Sequence, residues 1–164
     1  MKYFPPELYQ QFNSLDDDEA ERADEAWDKA EIAYKERLAN IRPQMPSQVA
    51  ELSEICLHDA IVVSRVEQAK DVAIVSVAIG PEVVSLFYTL CDPAITKEAP
   101  EDWRLSKLQE QWLYDEVDLA GESGGPFVHR ILFSTGVTME IPFASVIIHR
   151  FTVPVVVKRA KQSA

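Results

Sequence analysis

The sequence has few basic residues and few glycines. It holds 16 lysines and arginines against 27 aspartates and glutamates, which gives a formal net charge of -11. This balance opposes broad contact with nucleic-acid phosphates or anionic membrane surfaces, so we expect neither as a partner. Only five glycines are present, and none forms a GxGxxG, GxxxxGK(S/T) or GxSxG pattern. The signatures of nucleotide-binding loops and of serine hydrolases are therefore absent.

Cysteine and long apolar runs are also scarce. Cys56 and Cys91 lack CxxC spacing and a histidine pattern, which predicts two buried thiols rather than a disulfide or a metal knuckle. The first residues contain no basic region followed by an apolar stretch, so we expect no secretory signal and a cytoplasmic protein. The apolar run at 72–91 is interrupted at 80–82 by Gly-Pro-Glu and is rich in Val, Ile, Phe and Tyr. It predicts a β-hairpin rather than a transmembrane helix.

The length and composition indicate one domain. The chain has 164 residues, of which 47% are hydrophobic and 26% charged, as in ordinary globular proteins. We divide it into a helical part at 1–57, a sheet at 58–157 and a basic tail at 158–164.

The helical part contains the clearest periodic signal. Apolar residues from Ala20 to Ile41 recur at steps of three and four, which predicts one helix over 14–41. Asn13 or Ser14 is the expected N-cap, and prolines at 43 and 46 end the helix. Short helices are expected at 7–12 and 46–56. Asp18 with Arg22 and two similar pairs further along have the i,i+4 spacing of helical ion pairs.

After residue 57 the apolar period changes to two. Strands are predicted at 60–67, 72–79, 83–90, 111–119, 127–134, 137–141 and 145–153, with room for a further short strand between 92 and 98 and a helical turn at 103–109. Short turns between consecutive strands favour antiparallel pairing. We therefore expect an α+β fold in which N-terminal helices pack on an antiparallel meander of six to seven strands.

Three stretches carry a resemblance to a known family. The start MKYF with ELY at 7–9, LHDA at 57–60 and WLYDE at 112–116 resemble a family of small bacterial proteins of unknown function. The resemblance implies a bacterial cytoplasmic protein and supplies no catalytic residues. LHDA-type openings of a meander are also similar to segments of some immunity proteins of bacterial toxin systems, which is an analogy of fold and context.

One functional hypothesis is a small-molecule or metal site. His58 and Asp59 place an imidazole beside a carboxylate. Trp112, Tyr114, Glu116 and Asp118 recur at every second position, and the intervening residues include Leu113, Val117 and Leu119. We therefore expect these four side chains on one sheet face that offers an aromatic-walled pocket. His129 is a further candidate.

Each of these residues also has a structural interpretation. Asp59 can close an Asx turn, and His58 can cover a sheet edge. The face that includes Tyr114 can be the half-exposed side of any such sheet, and His129 lies among apolar residues as core histidines do. The spacings do not match a zinc site. We therefore assign no catalytic residue, metal or cofactor.

The second hypothesis is a non-enzymatic binding protein, for example of the immunity or inhibitor kind, that uses its acidic helix. Residues 16–36 hold ten acids and three bases, or -7 of the total charge. Such a ridge would speed association with a basic protein, although it can equally be a solvated face that aids solubility. Its members are Asp16, Asp17, Asp18, Glu21, Asp24, Glu25 and Asp28. Self-association through Trp27 and Tyr34 or a sheet edge is a third possibility, and the sequence leaves the oligomeric state open.

Overall fold

A computed structural model describes residues 1–67, 71–121 and 125–153. The predicted basic tail at 158–164 lies outside these residues. The fold is α+β, as expected from the sequence: helices come first and an antiparallel sheet follows. The helices are α1 (Pro6–Phe12), α2 (Asp17–Ile41) and α3 (Ser47–Leu52), with a 3-10 turn at Arg42–Gln44 between the last two. The strands are β1 (Ile61–Glu67), β2 (Val72–Ile79), β3 (Glu82–Leu90), β4 (Ile95–Lys97), β5 (Trp112–Leu119), β6 (Phe127–Phe133) and β7 (Thr138–Thr152).

The sheet is not a simple meander from first strand to last. Its strand order is β1-β2-β3-β7-β6-β5, and β4 pairs with the first part of β7. Two meanders, β1 to β3 and β5 to β7, are thus joined through the β3–β7 pairing. The two edges meet at one corner, where Ile61 bridges Gln111. The sheet therefore curves into a half-barrel around its core.

The last strand differs from the prediction of two separate strands. β7 runs without a break from Thr138 to Thr152 and includes Pro142. The carbonyl of Pro142 accepts a hydrogen bond from Cys91, so the side of Pro142 that lacks an N–H faces the gap between β3 and β4. Proline is tolerated there because no strand needs a donor at that point. The predicted helical turn at 103–109 is wrong, since that segment is irregular.

The core fills the concave side of the sheet. Val75 and Val77 of β2, Leu86 and Tyr88 of β3, and Phe143 of β7 are fully buried there. Val49 and Leu52 of α3 close the open side of this core. The apolar residues that recur at every second position of the strands therefore form the inward face of the sheet, as alternation predicts.

The convex side of the sheet has two halves that differ in what covers them. Over β5, β6 and the first half of β7, the first residues of the chain, α1 and α2 cover the sheet, so that Val128 and Leu132 are buried. Over β1, β2, β3 and the second half of β7, no described element covers the convex side. We call this second half the uncharged sheet face. Its fifteen positions, fixed by the strand register, are Ile61, Ser64, Val66, Val72, Ile74, Ser76, Ala78, Val83, Ser85, Phe87, Thr89, Ser145, Ile147, His149 and Phe151.

Candidate functional site

The acidic helix α2 begins later than predicted. Its N-cap is Asp16, whose carboxylate accepts a hydrogen bond from the Glu19 amide at 3.0 Å. Ser14, one of the two expected caps, donates instead to the Glu19 carboxylate at 2.6 Å. The residues Asp17, Asp18 and Glu19 then occupy the first turn, where the helix dipole favours negative charge. Asp16 of the predicted acidic face is therefore a capping residue.

The apolar stripe of α2 faces the sheet. Ala23, Trp27 and Ile41 are buried, and the Trp27 ring packs against Tyr114 of β5 with centroids 4.5 Å apart. The hydroxyl of Tyr34 accepts a hydrogen bond from the Val117 amide of β5 at 2.7 Å, and burial raises the pKa of Tyr34. Trp27 and Tyr34, considered above for self-association, are therefore used within the chain.

Most acids of α2 are left on the outside without a partner. Two of the three predicted ion pairs form, Glu25 with Lys29 at 3.5 Å and Glu31 with Lys35 at 2.6 Å, whereas the pair of Asp18 with Arg22 is absent from the described residues. In that same part of the chain, six exposed carboxylates of the helix have no cation within 4.0 Å, and Glu36 stands apart from the other five. We call those five the acidic ridge; they are Asp17, Asp18, Glu21, Asp24 and Asp28.

A groove of about 650 Å³ lies at the start of α2, between α1 and the loop at 100–105. Its walls carry the carboxylates of Glu7, Asp16, Glu19 and Asp102 and a single cation, Arg104. Leu15 protrudes at the rim with its side chain fully exposed.

Gln10 forms part of the groove wall and joins α1 to the loop. Its amide nitrogen donates to the Asp102 carboxylate at 2.9 Å. Its amide oxygen is buried and has no hydrogen-bond partner among the described residues. Sequence reasoning missed the groove because its walls come from segments about 90 positions apart, and no local pattern connects them.

His58 and Asp59 join the helical part to the sheet. The Nδ1 of His58 lies 2.5 Å from the carbonyl oxygen of Leu113, so this nitrogen donates to it. The imidazole packs on Tyr114 at 4.8 Å between centroids. Asp59 adopts a positive φ of 62°, and its ion pair with Lys107 at 3.1 Å lowers the pKa of its carboxyl. These contacts tie both residues to neighbouring segments, and the partner of the Asp59 carboxylate is the Lys107 ammonium rather than the backbone amides of the expected Asx turn.

Tyr114 and Glu116 face the helices, where Tyr114 is half-buried and Glu116 is fully buried. Burial raises the pKa of Tyr114, whose ring contacts Phe4 and Trp27. Glu116 is 1% exposed. Its carboxylate accepts hydrogen bonds of 2.7 to 3.0 Å from the backbone amides of Lys2, Tyr3 and Phe4. The polar group expected in a pocket is thus used to hold the start of the chain.

Trp112 does not share a sheet face with Tyr114, and this prediction is wrong. The β5–β6 register shifts between these two residues, and a bulge of one residue moves a side chain to the opposite face. Trp112 is therefore in the concave core, where its indole N–H donates to Asp115 at 2.9 Å.

His129 also lies on the concave side, so it does not meet Glu116. Its Nε2 is 3.0 Å from Asp115, and its Nδ1 is 2.7 Å from the hydroxyl of Tyr88. His129 is fully buried, as the interpretation of a satisfied core histidine predicted. Sequence reasoning missed both of its partners, since Tyr88 and Asp115 are 41 and 14 positions from His129 and meet it only in the folded sheet.

The described residues were compared with the requirements of a metal site and of a membrane-spanning helix. Within residues 1–67, 71–121 and 125–153, no group of three or more His, Cys, Asp or Glu side chains is arranged to hold a metal ion. None of the helices in those ranges is long and apolar enough to cross a membrane. Cys56 and Cys91 are free thiols but exposed, which corrects the prediction that they are buried.

Comparison with known proteins supports the resemblance seen in the sequence. The family described as a protein of unknown function, DUF4085, matches residues 3–148. No curated protein matches the chain. The matched range contains α1, α2 and all the strands except the end of β7. The chain therefore belongs to the DUF4085 family of proteins of unknown function.

Proposed function

We propose that this protein is a non-enzymatic binding protein whose ligand is a basic protein. The observation that carries the proposal is the acidic ridge of α2: its five carboxylates are exposed and without ion pairs, whereas the helix's apolar stripe is buried against β5. Unpaired surface charges of one sign accelerate the encounter with a partner of opposite sign.

The groove beside the ridge supports the same partner chemistry. Four carboxylates face one guanidinium there, which favours a lysine or arginine side chain of the partner. The exposed Leu15 at its rim supplies apolar contact, and interfaces commonly combine an apolar anchor with a charged rim.

An immunity or inhibitor role in the cytoplasm is the form of this function that we favour. A stoichiometric inhibitor of a cationic toxin needs a preformed acidic surface, and it needs no catalytic site of its own. Two free thiols suit a reducing compartment. The excess of acid opposes nucleic-acid and membrane partners. The alternative, a small-molecule or metal site around His58, Asp59, Tyr114 and Glu116, receives less support because three backbone amides already bind the Glu116 carboxylate.

Affinity capture from a lysate of the source cells tests the proposal. The immobilised full chain is exposed to lysate at about 50 mM salt and then washed at about 300 mM salt, where screening weakens exposed charge pairs. We expect retention of at least one basic protein, identified by mass spectrometry, and its release at the higher salt. If no basic protein is retained at the lower salt, the proposal is wrong.

Two variants of equal charge make the test specific. In the first, the acidic ridge is neutralised by D17N, D18N, E21Q, D24N and D28N. In the control, five exposed acids outside the ridge are neutralised by E36Q, D71N, D92N, E98Q and E101Q; Glu36 lies near the far end of α2 and the other four lie off this helix. The ridge variant should lose the captured protein, and the control should keep it. Equal loss from both variants would show only a nonspecific charge effect and would contradict the proposal.

A further inference from the structure

The uncharged sheet face is an unusual surface for a chain of net charge -11. None of its fifteen positions holds Asp, Glu, Lys or Arg, although solvent-facing positions of antiparallel sheets are normally polar. Large apolar side chains are exposed on it: Ile147 is 49% exposed, Phe151 51% and Val66 43%.

Four of the polar side chains of this face already satisfy one another. The hydroxyls of Ser76 and Ser85 are 2.8 Å apart and hydrogen-bonded, and Ser145 donates to Thr89 at 3.0 Å. His149, the one ionisable residue at the fifteen positions, packs edge-on against the Phe87 ring at 5.3 Å. If another surface covered this face, these four hydroxyls would keep their hydrogen-bond partners. The usual cost of burying unpaired polar groups therefore does not arise for them.

The size and shape of the face fit a second copy of the same chain. Four strands about 4.8 Å apart and about eight residues long, at about 3.3 Å per residue, give a footprint of about 500 Å². Two such faces would bury about 1,000 Å² in total, which is the lower limit for a specific interface. A shallow centre of small residues at Ser76 and Ser85 lies beside a ridge that includes Phe87 and Ile147. A two-fold axis would place the ridge of each copy in the centre of the other.

The distribution of charge also favours a second copy of this chain as the partner of this face. Two copies that each carry -11 repel at most orientations, but an uncharged face can approach its own copy without desolvating a carboxylate. We propose that this protein forms a symmetric homodimer by packing the uncharged sheet faces of two copies into a β-sandwich. This proposal is independent of the proposed function, because the acidic ridge and the groove are on other elements.

Analytical ultracentrifugation of the full chain from about 1 to 200 μM tests the dimer. We expect the mass to rise with concentration from 18.5 kDa to twice that value. A wild-type chain that stays monomeric over this range would overturn the proposal, whether the face is then covered by another segment or by another protein.

Substitutions at two matched isoleucines locate the interface. Ile147 on the uncharged sheet face and Ile95 on β4 are both strand residues, 49% and 50% exposed. I147K should weaken dimerisation at least about 100-fold because it would bury unpaired ammonium groups at the interface, whereas I95K should leave it unchanged. Lysine lowers the magnitude of the net charge, so a loss of dimer cannot come from added repulsion.

F151K serves as a second interface variant in case I147K does not fold, which circular dichroism will show. A dimer of unchanged affinity in the folded interface variants, or equal weakening by I95K, would overturn the proposal.

Discussion

The hydrogen bonds of Glu116 lead to a quantitative prediction about stability. In E116A, the amides of Lys2, Tyr3 and Phe4 lose their acceptor, and each buried donor without a partner costs about 1–3 kcal/mol. Because the first residues can swing out into water, the total is limited to about 3–5 kcal/mol. E116Q keeps one acceptor oxygen but turns an NH2 group toward the Lys2 amide, so we expect a loss of about 1–2 kcal/mol.

Urea denaturation followed by circular dichroism measures these losses as shifts of the unfolding midpoint. The control is E21A, since Glu21 is exposed on α2, and its effect should stay within about 0.5 kcal/mol. Trypsin provides a local readout. Cleavage after Lys2 should be at least about tenfold faster in E116A than in wild type, because the segment opens more often. If E116A unfolds within about 0.5 kcal/mol of wild type and is cleaved after Lys2 at the same rate, Glu116 does not anchor the start of the chain.

Three further predictions follow from buried or constrained groups. Y34F removes the acceptor of the Val117 amide and should cost about 1–2 kcal/mol at pH 7. Burial raises the pKa of Tyr34 in the folded state. The contribution of Tyr34 to wild-type stability should therefore be fully present below about pH 10, the pKa of tyrosine in the unfolded chain, and should fall as the pH rises further. A urea midpoint that does not fall from about pH 9 to about pH 11 would contradict this. G136A should lower the free energy of unfolding by more than about 2 kcal/mol, because the added Cβ would lie 2.5 Å from Trp103 and the residue has a φ of +80°. G80A has a φ of +59° but adds its Cβ in open space, so it should lower the free energy of unfolding by only about 1 kcal/mol. Equal melting temperatures of the two variants would refute the steric argument. Both free cysteines are exposed and should react with a thiol reagent without denaturant, so a thiol that needs unfolding to react would contradict the exposure.

The elements with regular periodicity were predictable from the sequence. β2 was predicted at its observed bounds, and most of the other strands begin and end within one residue of the prediction, because alternation records which face is buried. Helix α2 was predicted for the same reason, with an error confined to its cap. Asp16 replaces the predicted caps because Ser14 donates to Glu19 instead.

The errors occur where one residue changes the geometry or where contacts are distant in sequence. The bulge between Trp112 and Tyr114 reverses the face of Trp112, and no propensity identifies a bulge in advance. Two strands were predicted at 137–141 and 145–153, but β7 continues through Pro142 because this residue lies where β3 gives way to β4 and no donor is required.

The candidate site was predictable only in part. The acidic ridge is local, so the sequence of α2 contains it. The hydrogen bonds from the first backbone amides to Glu116 join residues more than 110 positions apart. Hydrogen bonds of that range depend on the assembled fold. The groove depends on the fold in the same way, because the loop at 100–105 meets α1 only in the folded chain.

The salt dependence of association most directly tests the claim that the acidic ridge binds a basic protein. The rate of association of the captured partner with the full chain is measured by surface plasmon resonance at salt concentrations from about 50 to 300 mM. For wild type the rate should fall about tenfold over this range, and for the ridge variant it should be low and nearly independent of salt, while dissociation changes less. A wild-type association rate that does not depend on salt, or one that the ridge variant retains, would contradict the account.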